Sequence, residues 1–282
     1  MTLAARTLRR YVDLHIHSKF SDGTCTVQEL MEMASQRNLR AVSITDHDSL
    51  DAYPQAQALG EQYGIEVIPG VELSSEIQGV DIHILGYFVD ADNEQLRMRL
   101  HQMRDARFDR ARRMVENLNR LGIDLRFETV LGIAGGAAIG RPHIAAAMLK
   151  EELVYSFREA FDKYIGYDSP AYVEKLKLSP REVFDLVRAA GGIPVLAHPA
   201  ITQVDERIPE FVRDGLLGIE VYHSEHATAV AESYMRFAKT HNLAFTGGSD
   251  FHSPTHNRSE IGVPRVPLAA VKSLKEKLNI PE

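Results

Sequence analysis

Apolar residues in the first third of the chain fall into short runs separated by helically spaced stretches. Tyr11–His15 has the make-up of a strand. Thr26-Val27-Gln28-Glu29 has the form of a capping box, and Val27, Leu30, Met31 and Ala34 follow at helical spacing. Ala41–Thr45 reads as a short buried strand, Ser49–Tyr63 as a helix and Glu66–Pro69 as another strand. Val71–Ser75 and Val80–Val89 read as extended. In the second, Val80, Ile82 and Ile84 alternate with Asp81, His83 and Leu85, so an amphipathic strand carries a histidine.

The rhythm breaks near Asn93. Asn93 to Leu121 is one helical pattern, with Leu96, Leu100, Met103, Met114, Leu118 and Leu121 as its expected buried stripe. Glu128–Ala134, Pro142–Lys150 and Ser156–Ile165 follow as shorter helical pieces, punctuated by Gly135-Gly136 and by the turn Gly166–Pro170. Residues 93–171 are therefore expected to form a helical insertion in a domain made of 1–92 and 172–282.

Alternation resumes at Ser179-Pro180-Arg181-Glu182, an N-cap with proline next and glutamate at the third helical position. Strands are expected at Ile193–Ala197, Gly218–Tyr222 and Ala244–Thr246. Helices are expected up to Ala190, around Glu206–Asp214, from His226 to His241 and near Leu268–Leu278. Strand–helix alternation of this kind predicts an α/β fold built on a parallel sheet, open or closed. His15, His17, His47, His198 and Asp250 fall at or just past the C-terminal ends of these strands. That edge is where ligands sit in barrels and open parallel sheets alike.

Composition narrows the class. The 282 residues are 44% hydrophobic and 25% charged, as in an ordinary globular protein. A single cysteine, Cys25, excludes an intrachain disulfide and a cysteine-ligated zinc site. No apolar run is long enough to span a membrane. Met1–Arg10 holds three arginines without an apolar stretch behind them, so a signal peptide is not expected and a cytoplasmic location is. The net charge of −7 argues against binding nucleic acid through the overall field, so an anionic substrate must be attracted locally. No membrane and no stable protein partner are expected.

The candidate chemistry is a set of nine groups: His15, His17, Asp22, His47, Glu72, His83, His198, Asp250 and His252. His15 and His17 leave one strand on the same face. Asp22 lies in a loop ending Asp22-Gly23, which also reads as a plain turn. Thr45-Asp46-His47-Asp48 puts three ionisable residues behind a buried strand, where packing has no use for them. Glu72 is an acid inside the apolar run Val67 to Leu73 and needs a partner or a cation. His83 is placed similarly, with a core histidine bonded to backbone as the rival reading. Asp250 and His252 follow Gly247-Gly248-Ser249, where glycines permit close backbone approach.

With imidazoles uncharged, the set holds three carboxylates. One divalent ion leaves it negative, whereas two or three turn it positive and suited to a phosphate ester. Nitrogen and carboxylate donors without thiolate fit Mn²⁺, Fe²⁺ or Zn²⁺ better than Ca²⁺, with two or three ions expected, Mn²⁺ foremost. The expected mechanism is attack of a metal-bound hydroxide on phosphorus. His198 or His252 could instead protonate the leaving group, and Asp250 joins them as the third candidate catalytic residue.

Asp13-Leu14-His15-Ile16-His17, Ser21-Asp22-Gly23, Thr45-Asp46-His47-Asp48, Gly70-Val71-Glu72, Ala197-His198-Pro199 and Ser249-Asp250-Phe251-His252 resemble the motifs of the polymerase-and-histidinol-phosphatase (PHP) superfamily. The resemblance runs in order from Tyr11 to about His252. It implies a distorted seven-stranded (β/α)7 PHP-type barrel with up to three metals, and the nine groups fall on the family's ligand pattern. The insertion and Gly140-Arg141-Pro142-His143 resemble one branch, nucleoside 3′,5′-bisphosphate phosphatases related to 5′→3′ exoribonucleases of short RNA. That likeness implies that Arg141 and His143, together with Asp22, contact the substrate. Arg141 also reads as a solvated helix start beside Pro142.

Two further features bear on the substrate. Arg97, Arg99, Arg104, Arg107, Arg110, Arg112, Arg113 and Arg120 crowd the long helix. They read first as a solvated face with i,i+4 pairs and second as a track for an RNA backbone. Tyr164, Tyr167 and Tyr172 read as packing, or as platforms for a base. Three other functions remain open on these residues: a phosphatase for a small metabolite such as histidinol phosphate, a C–N hydrolase of the amidohydrolase type, and a non-catalytic PHP module. Glu72 stands where the amidohydrolase type often uses a carboxylated lysine, and a module would be expected to have lost ligands.

Overall fold

The computed structural model describes residues 11–174, 176, 178–254 and 259–280. Residues 1–10, with the three N-terminal arginines, lie outside the described residues.

Two sheets meet at both edges. The first runs β3 (Glu66–Val67), β2 (Ala41–Ile44), β1 (Tyr11–Ile16) and β9 (Val266–Pro267). The second runs β4 (Gly70–Ile77), β5 (Val80–Tyr87), β6 (Ile193–Leu196), β7 (Gly218–His223) and β8 (Ala244–Gly248). One seam is a parallel bridge between His47 and Glu72, with Asp48 N–H donating to the Glu72 carbonyl at 2.9 Å. The other is a parallel bridge between Ile16 and Phe251, where Asp250 N–H donates to the His15 carbonyl at 2.9 Å. β1, β2 and β4 to β8 thereby close into a distorted seven-stranded barrel. Both seams fall on residues of the candidate set, so closing the barrel also assembles the site.

Among the seven barrel strands one breaks the parallel expectation, while β9 pairs antiparallel with β1 outside that ring. β5 is antiparallel to both β4 and β6. Gln78 and Gly79, the two residues between β4 and β5, both have positive φ (53° and 85°), the geometry of a tight hairpin. A two-residue link cannot make the crossover that parallel strands require. The reversal puts His83, opposite Ser74 near the start of β5, at the same end of the barrel as the C-termini of its neighbours.

The helices form where capping and spacing lead. In α1 (Val27–Gln36) the Thr26 side chain and Glu29 complete a reciprocal cap, and Val27, Leu30, Met31 and Ala34 are buried. α2 (Tyr53–Tyr63) starts later than Ser49, because residues 48–52 turn back over the barrel mouth. α3 (Glu94–Arg120) is capped by the Asn93 side chain, which accepts from Leu96 N–H. Its expected stripe is buried except for Leu121, which caps the C-terminus and is exposed. α4 (Phe127–Ala134), α5 (Arg141–Lys150) and α6 (Phe157–Ala160, continued by a π-helical turn to Ile165) pack with the second half of α3. Their core of Met114, Leu118, Val130, Ile144, Met148 and Ile165 is separate from those under the sheets.

The remaining helices are α7 (Pro180–Ala189), α8 (Pro199–Thr202), α9 (Ile208–Asp214), α10 (Thr228–Thr240) and α11 (Ala269–Lys277). α10 begins two residues after His226, whose Nδ1 donates to the Val221 carbonyl at 2.9 Å and ties that segment to β7. No helix among the described residues is long and apolar enough to cross a membrane.

Candidate metal centre

The nine groups converge at one end of the barrel, with Glu72 at the centre. Glu72 Oε2 lies 3.3 Å from His15 Nε2, 3.2 Å from His17 Nε2 and 3.2 Å from His47 Nδ1. Its Oε1 lies 2.8 Å from His83 Nδ1 and 3.2 Å from His198 Nε2. Asp250 Oδ1 faces His15 Nε2 at 3.4 Å and His17 Nε2 at 3.2 Å. Asp22 Oδ1 faces His252 Nε2 at 3.3 Å. Three sets bring ligand atoms within 4.8 Å of one another: His17, Asp22, His47 and His252; His15, His17 and Asp250; and His47, Glu72 and His83. His198 lies outside these sets but within reach of Glu72.

The donor set fits divalent cations. His15 Nε2, His17 Nε2, Asp22 Oδ1, His47 Nδ1, Glu72 Oε2 and His198 Nδ1 are buried and have no hydrogen-bond partner. An orphaned buried polar atom costs about 1–3 kcal/mol, and a cluster in which all but His198 Nδ1 face one another is the pattern cations would relieve. Electrostatics agrees. Burial opposes ionisation of Glu72, yet His47, His83 and His15 hold it well below the usual carboxylate range. Asp250 is held down in the same way, against burial, by His15 and His252. Burial disfavours charge on His15, but Glu220, Asp250 and Glu72 together raise it well above the usual histidine value. Without cations the acids draw protons onto His15, His17, His198 and His252, whereas burial keeps His47 uncharged.

Several residues that hold the centre escaped the sequence reading. Glu220 is fully buried on β7; its Oε1 lies 3.1 Å from His15 Nδ1, and its Oε2 accepts His198 N–H at 2.8 Å. That second bond fixes His198 at φ 26°, a strained backbone for a non-glycine residue. The signal was available, since Gly218-Ile219-Glu220-Val221 puts an acid in an apolar run just as Val71-Glu72-Leu73 does. Glu220 also changes the charge balance: with four carboxylates, two divalent ions bring the centre only to neutrality and a third makes it positive.

Asp46 holds the loop that delivers Asp22, accepting from Ser18 N–H at 2.7 Å and from the Ser18 and Ser21 hydroxyls at 2.6 Å each. Asp13 accepts from Ser249 N–H at 2.9 Å and Gly262 N–H at 2.7 Å, which ties β1 to the segment carrying Asp250. Gly248 lets β8 pass close to β1, because a Cβ there would stand 2.4 Å from the His15 backbone nitrogen.

The helical segment reaches this centre through Arg107 and Arg110, and for these two the solvated-face reading fails. Arg107 Nε donates to Asp48 Oδ2 at 2.6 Å and its Nη2 to Ser74 Oγ at 3.0 Å. Arg104 pairs with Asp51 at 2.6 Å. Arg110 is buried and donates from Nε to the Val173 carbonyl at 2.7 Å. Arg97, Arg112, Arg113 and Arg120 do lie on the solvent side, Arg112 3.6 Å from Asp109.

Arg141 is no solvated helix start either. Its guanidinium carbon lies 4.4 Å from the Tyr167 ring centre, 5.5 Å from that of Phe161 and 5.7 Å from that of Tyr172. Tyr167 and Tyr172 thus frame a cation. His143 accepts Gly140 N–H on Nδ1 at 2.9 Å and also bonds to the Ser21 backbone, bracing the loop that carries Asp22. A cavity of ≈ 590 Å³ opens beside the centre. Asp22, His143, Asp250 and His252 line one side of it, and Ile133, Ala134, Pro142, Ala146 and Phe157 from the helical segment line the other. Arg141 is not part of this wall.

A PHP domain model matches residues 13–245. The chain belongs to the PHP domain family. It is similar to the 3′,5′-nucleoside bisphosphate phosphatase of Chromobacterium violaceum, 31% identical over 257 residues, covering 89% of this chain and 90% of that protein. A 5′-3′ exoribonuclease of Haemophilus influenzae is 29% identical over 247 residues, covering 86% and 90%. A crystal structure from Bifidobacterium adolescentis, named as a metal-dependent phosphoesterase, superposes with a TM-score of 0.86 at 30% identity, covering 94% of this chain and 96% of that one. This PHP protein is accordingly a metal-dependent phosphoester hydrolase, and its cluster of histidines and acids is the part of the chain equipped for divalent cations.

Proposed function

We propose that this PHP protein removes the 3′-phosphate of nucleoside 3′,5′-bisphosphates and degrades short RNA from its 5′ end. The observation that carries the reading is the pairing of two walls around one cavity. A histidine–carboxylate wall can take a phosphoryl group, and an apolar wall from the helical insertion can take a base or sugar. The two relatives named above, one acting on a bisphosphate and one on RNA, support the same substrate class.

The residues that would hold divalent ions are His15, His17, Asp22, His47, Glu72, His83, His198, Asp250 and His252, with Glu72 at the middle of the set. When bound, divalent ions, Mn²⁺ foremost, would supply Lewis-acid polarisation of a phosphoryl oxygen and an acidified water. The protein's own part is positioning. Glu220 orients His15, Asp46 orients the loop of Asp22, and Arg107 fixes the segment that carries His47. His252 Nδ1 donates to the Asp250 carbonyl at 3.0 Å, which leaves a lone pair on Nε2 facing Asp22. That tautomer favours His252 as a ligand over a proton donor. His198 keeps the role of candidate acid beside its contact with Glu72. Arg141, pre-oriented by its aromatic frame, offers a planar fork to a phosphate that the centre does not hold, and His143 supports the pocket through the Asp22 loop.

The test is turnover with Mn²⁺ of adenosine 3′,5′-bisphosphate, a 5′-phosphorylated oligoribonucleotide and histidinol phosphate in parallel. The reading expects the first two to be the better substrates. Preference for histidinol phosphate would replace it with a small-metabolite phosphatase, and no turnover of any of the three would overturn the nucleotide reading.

A further inference from the structure

His223 is the last residue of β7, and its side chain is 2% exposed. It belongs to none of the three ligand sets, yet its ring centre lies 5.5 Å from that of His198 and 6.3 Å from that of His15. Its Nδ1 accepts the backbone N–H of Glu225 at 3.2 Å. A nitrogen that accepts from an N–H has its lone pair in use, so the ring proton sits on Nε2. Nε2 lies 3.4 Å from Asp250 Oδ2, within ion-pair range but without a formed hydrogen bond, and has no hydrogen-bond partner elsewhere. The two oxygens of Asp250 are therefore divided. Oδ1 faces His15, His17 and His252, at 3.4, 3.2 and 3.6 Å. Oδ2 faces His223.

A ring whose inward nitrogen bears a proton has no lone pair to give a cation. It has a hydrogen bond to give a carboxylate. Asp250 needs such a restraint: its backbone is left-handed (φ 51°) and follows a glycine pair. The β7–β8 ladder pairs His223 with Gly248, two residues before Asp250, so the donor and its acceptor are carried on adjacent strand ends.

We propose that His223 is a positioning residue that binds Asp250 Oδ2 and so presents Oδ1 alone to a cation. The inference rests on the metal-binding reading of the centre and on nothing about the substrate. It extends to Asp250 the arrangement that Glu220 makes for His15, in which an outer partner orients a ligand.

The test uses the full chain and Mn²⁺ alone. A glutamine can bring an N–H donor near the place of Nε2; leucine brings none, and asparagine is too short. Mn²⁺ affinity and stoichiometry would be measured by chelator competition for wild type, His223→Gln, His223→Leu and His223→Asn. Melting temperature without metal serves as a control for folding. The expected result is a loss of about 10- to 100-fold in affinity for one Mn²⁺ in the leucine and asparagine variants, with glutamine close to wild type. If the leucine variant does not fold, the contrast between glutamine and asparagine carries the test. Wild-type affinity in leucine or asparagine would remove His223 from any role at the centre. Equal losses in glutamine and leucine would make the imidazole itself a ligand and overturn the positioning role. A wild-type protein that takes up no Mn²⁺ would overturn the metal reading and this role with it, whereas rejection of every proposed substrate would touch neither.

Discussion

Glu220 and His15 form a buried carboxylate–imidazole pair, with Oε1 3.1 Å from Nδ1, and that pair leaves His15 Nε2 directed at Glu72 and Asp250. The other Glu220 oxygen accepts the His198 backbone N–H at 2.8 Å. One side chain therefore sets the ring of one proposed ligand and the backbone of another. A carboxamide has a single acceptor oxygen where this site uses two. Glu220→Gln is expected to weaken Mn²⁺ binding by about 10- to 100-fold, read from a binding isotherm on folded protein. Unchanged affinity would reduce Glu220 to packing.

Metal and protons compete at this centre, and the signs can be worked out. In metal-free protein, burial works against the charged forms of His15 and His17, but nearby carboxylates raise both, His17 to about 10. A raised histidine contributes stability that is complete below its unfolded value near 6.5 and is lost as pH rises toward the folded value. Asp22, Glu72 and Asp250 are held low against burial, so their contribution is present above the unfolded carboxylate range and is lost in acid. His47, kept uncharged by burial, costs stability as pH falls below the ordinary histidine value, so metal-stripped protein should be most stable at about pH 6.5, with its melting temperature falling from there toward pH 10. The extra stability from saturating Mn²⁺ should grow over the same interval as protons leave the ligands. A flat melting temperature between pH 6.5 and 9 in EDTA would contradict this.

Arg107 and Asp48 join the long helix to the barrel mouth, and both are largely buried. Removing one partner strands the other. Arg107→Met should cost about 3 kcal/mol in denaturant unfolding, and combining it with Asp48→Asn should restore part of that loss. Additive losses in the double variant would show that the two side chains are not coupled.

Arg141 predicts a split between substrates. Arg141→Ala should raise KM for adenosine 3′,5′-bisphosphate by about tenfold or more, the worth of a hydrogen bond to a charged group. KM for a phosphomonoester without a second phosphate should stay within about twofold. Tyr167→Leu should shift the bisphosphate KM in the same direction by less, through loss of the ring that orients the guanidinium. Equal effects on both substrates would place Arg141 in the scaffold.

Asp250→Asn should abolish turnover with little loss of fold, as seen in the circular dichroism of the metal-free protein. Asparagine keeps the size of the side chain but loses the charge that Oδ1 offers to the centre. Full activity in the variant would take Asp250 out of the chemistry.

The sequence by itself determined much of this. Imidazoles and acids at the ends of apolar runs are legible because strand ends cannot use them for packing, and the backbone fixes which end of a strand they occupy. The long helix, its Asn93 start and the helical stretch after it were legible from periodicity and turn residues. The tertiary structure decided what each group faces. β5 runs antiparallel because two residues cannot cross a sheet, and this brings His83 to Glu72. Arg107 and Arg110 looked like part of a solvated face until the long helix lay down against Asp48 and Val173. Glu220 stands in an apolar run as Glu72 does, and His223 ends the same strand, but neither position says what it faces. They acquire roles only when barrel closure brings them to His15 and Asp250, more than two dozen residues away along the chain. Which nitrogen a histidine offers depends on what its other nitrogen touches, and linear spacing does not carry that relation.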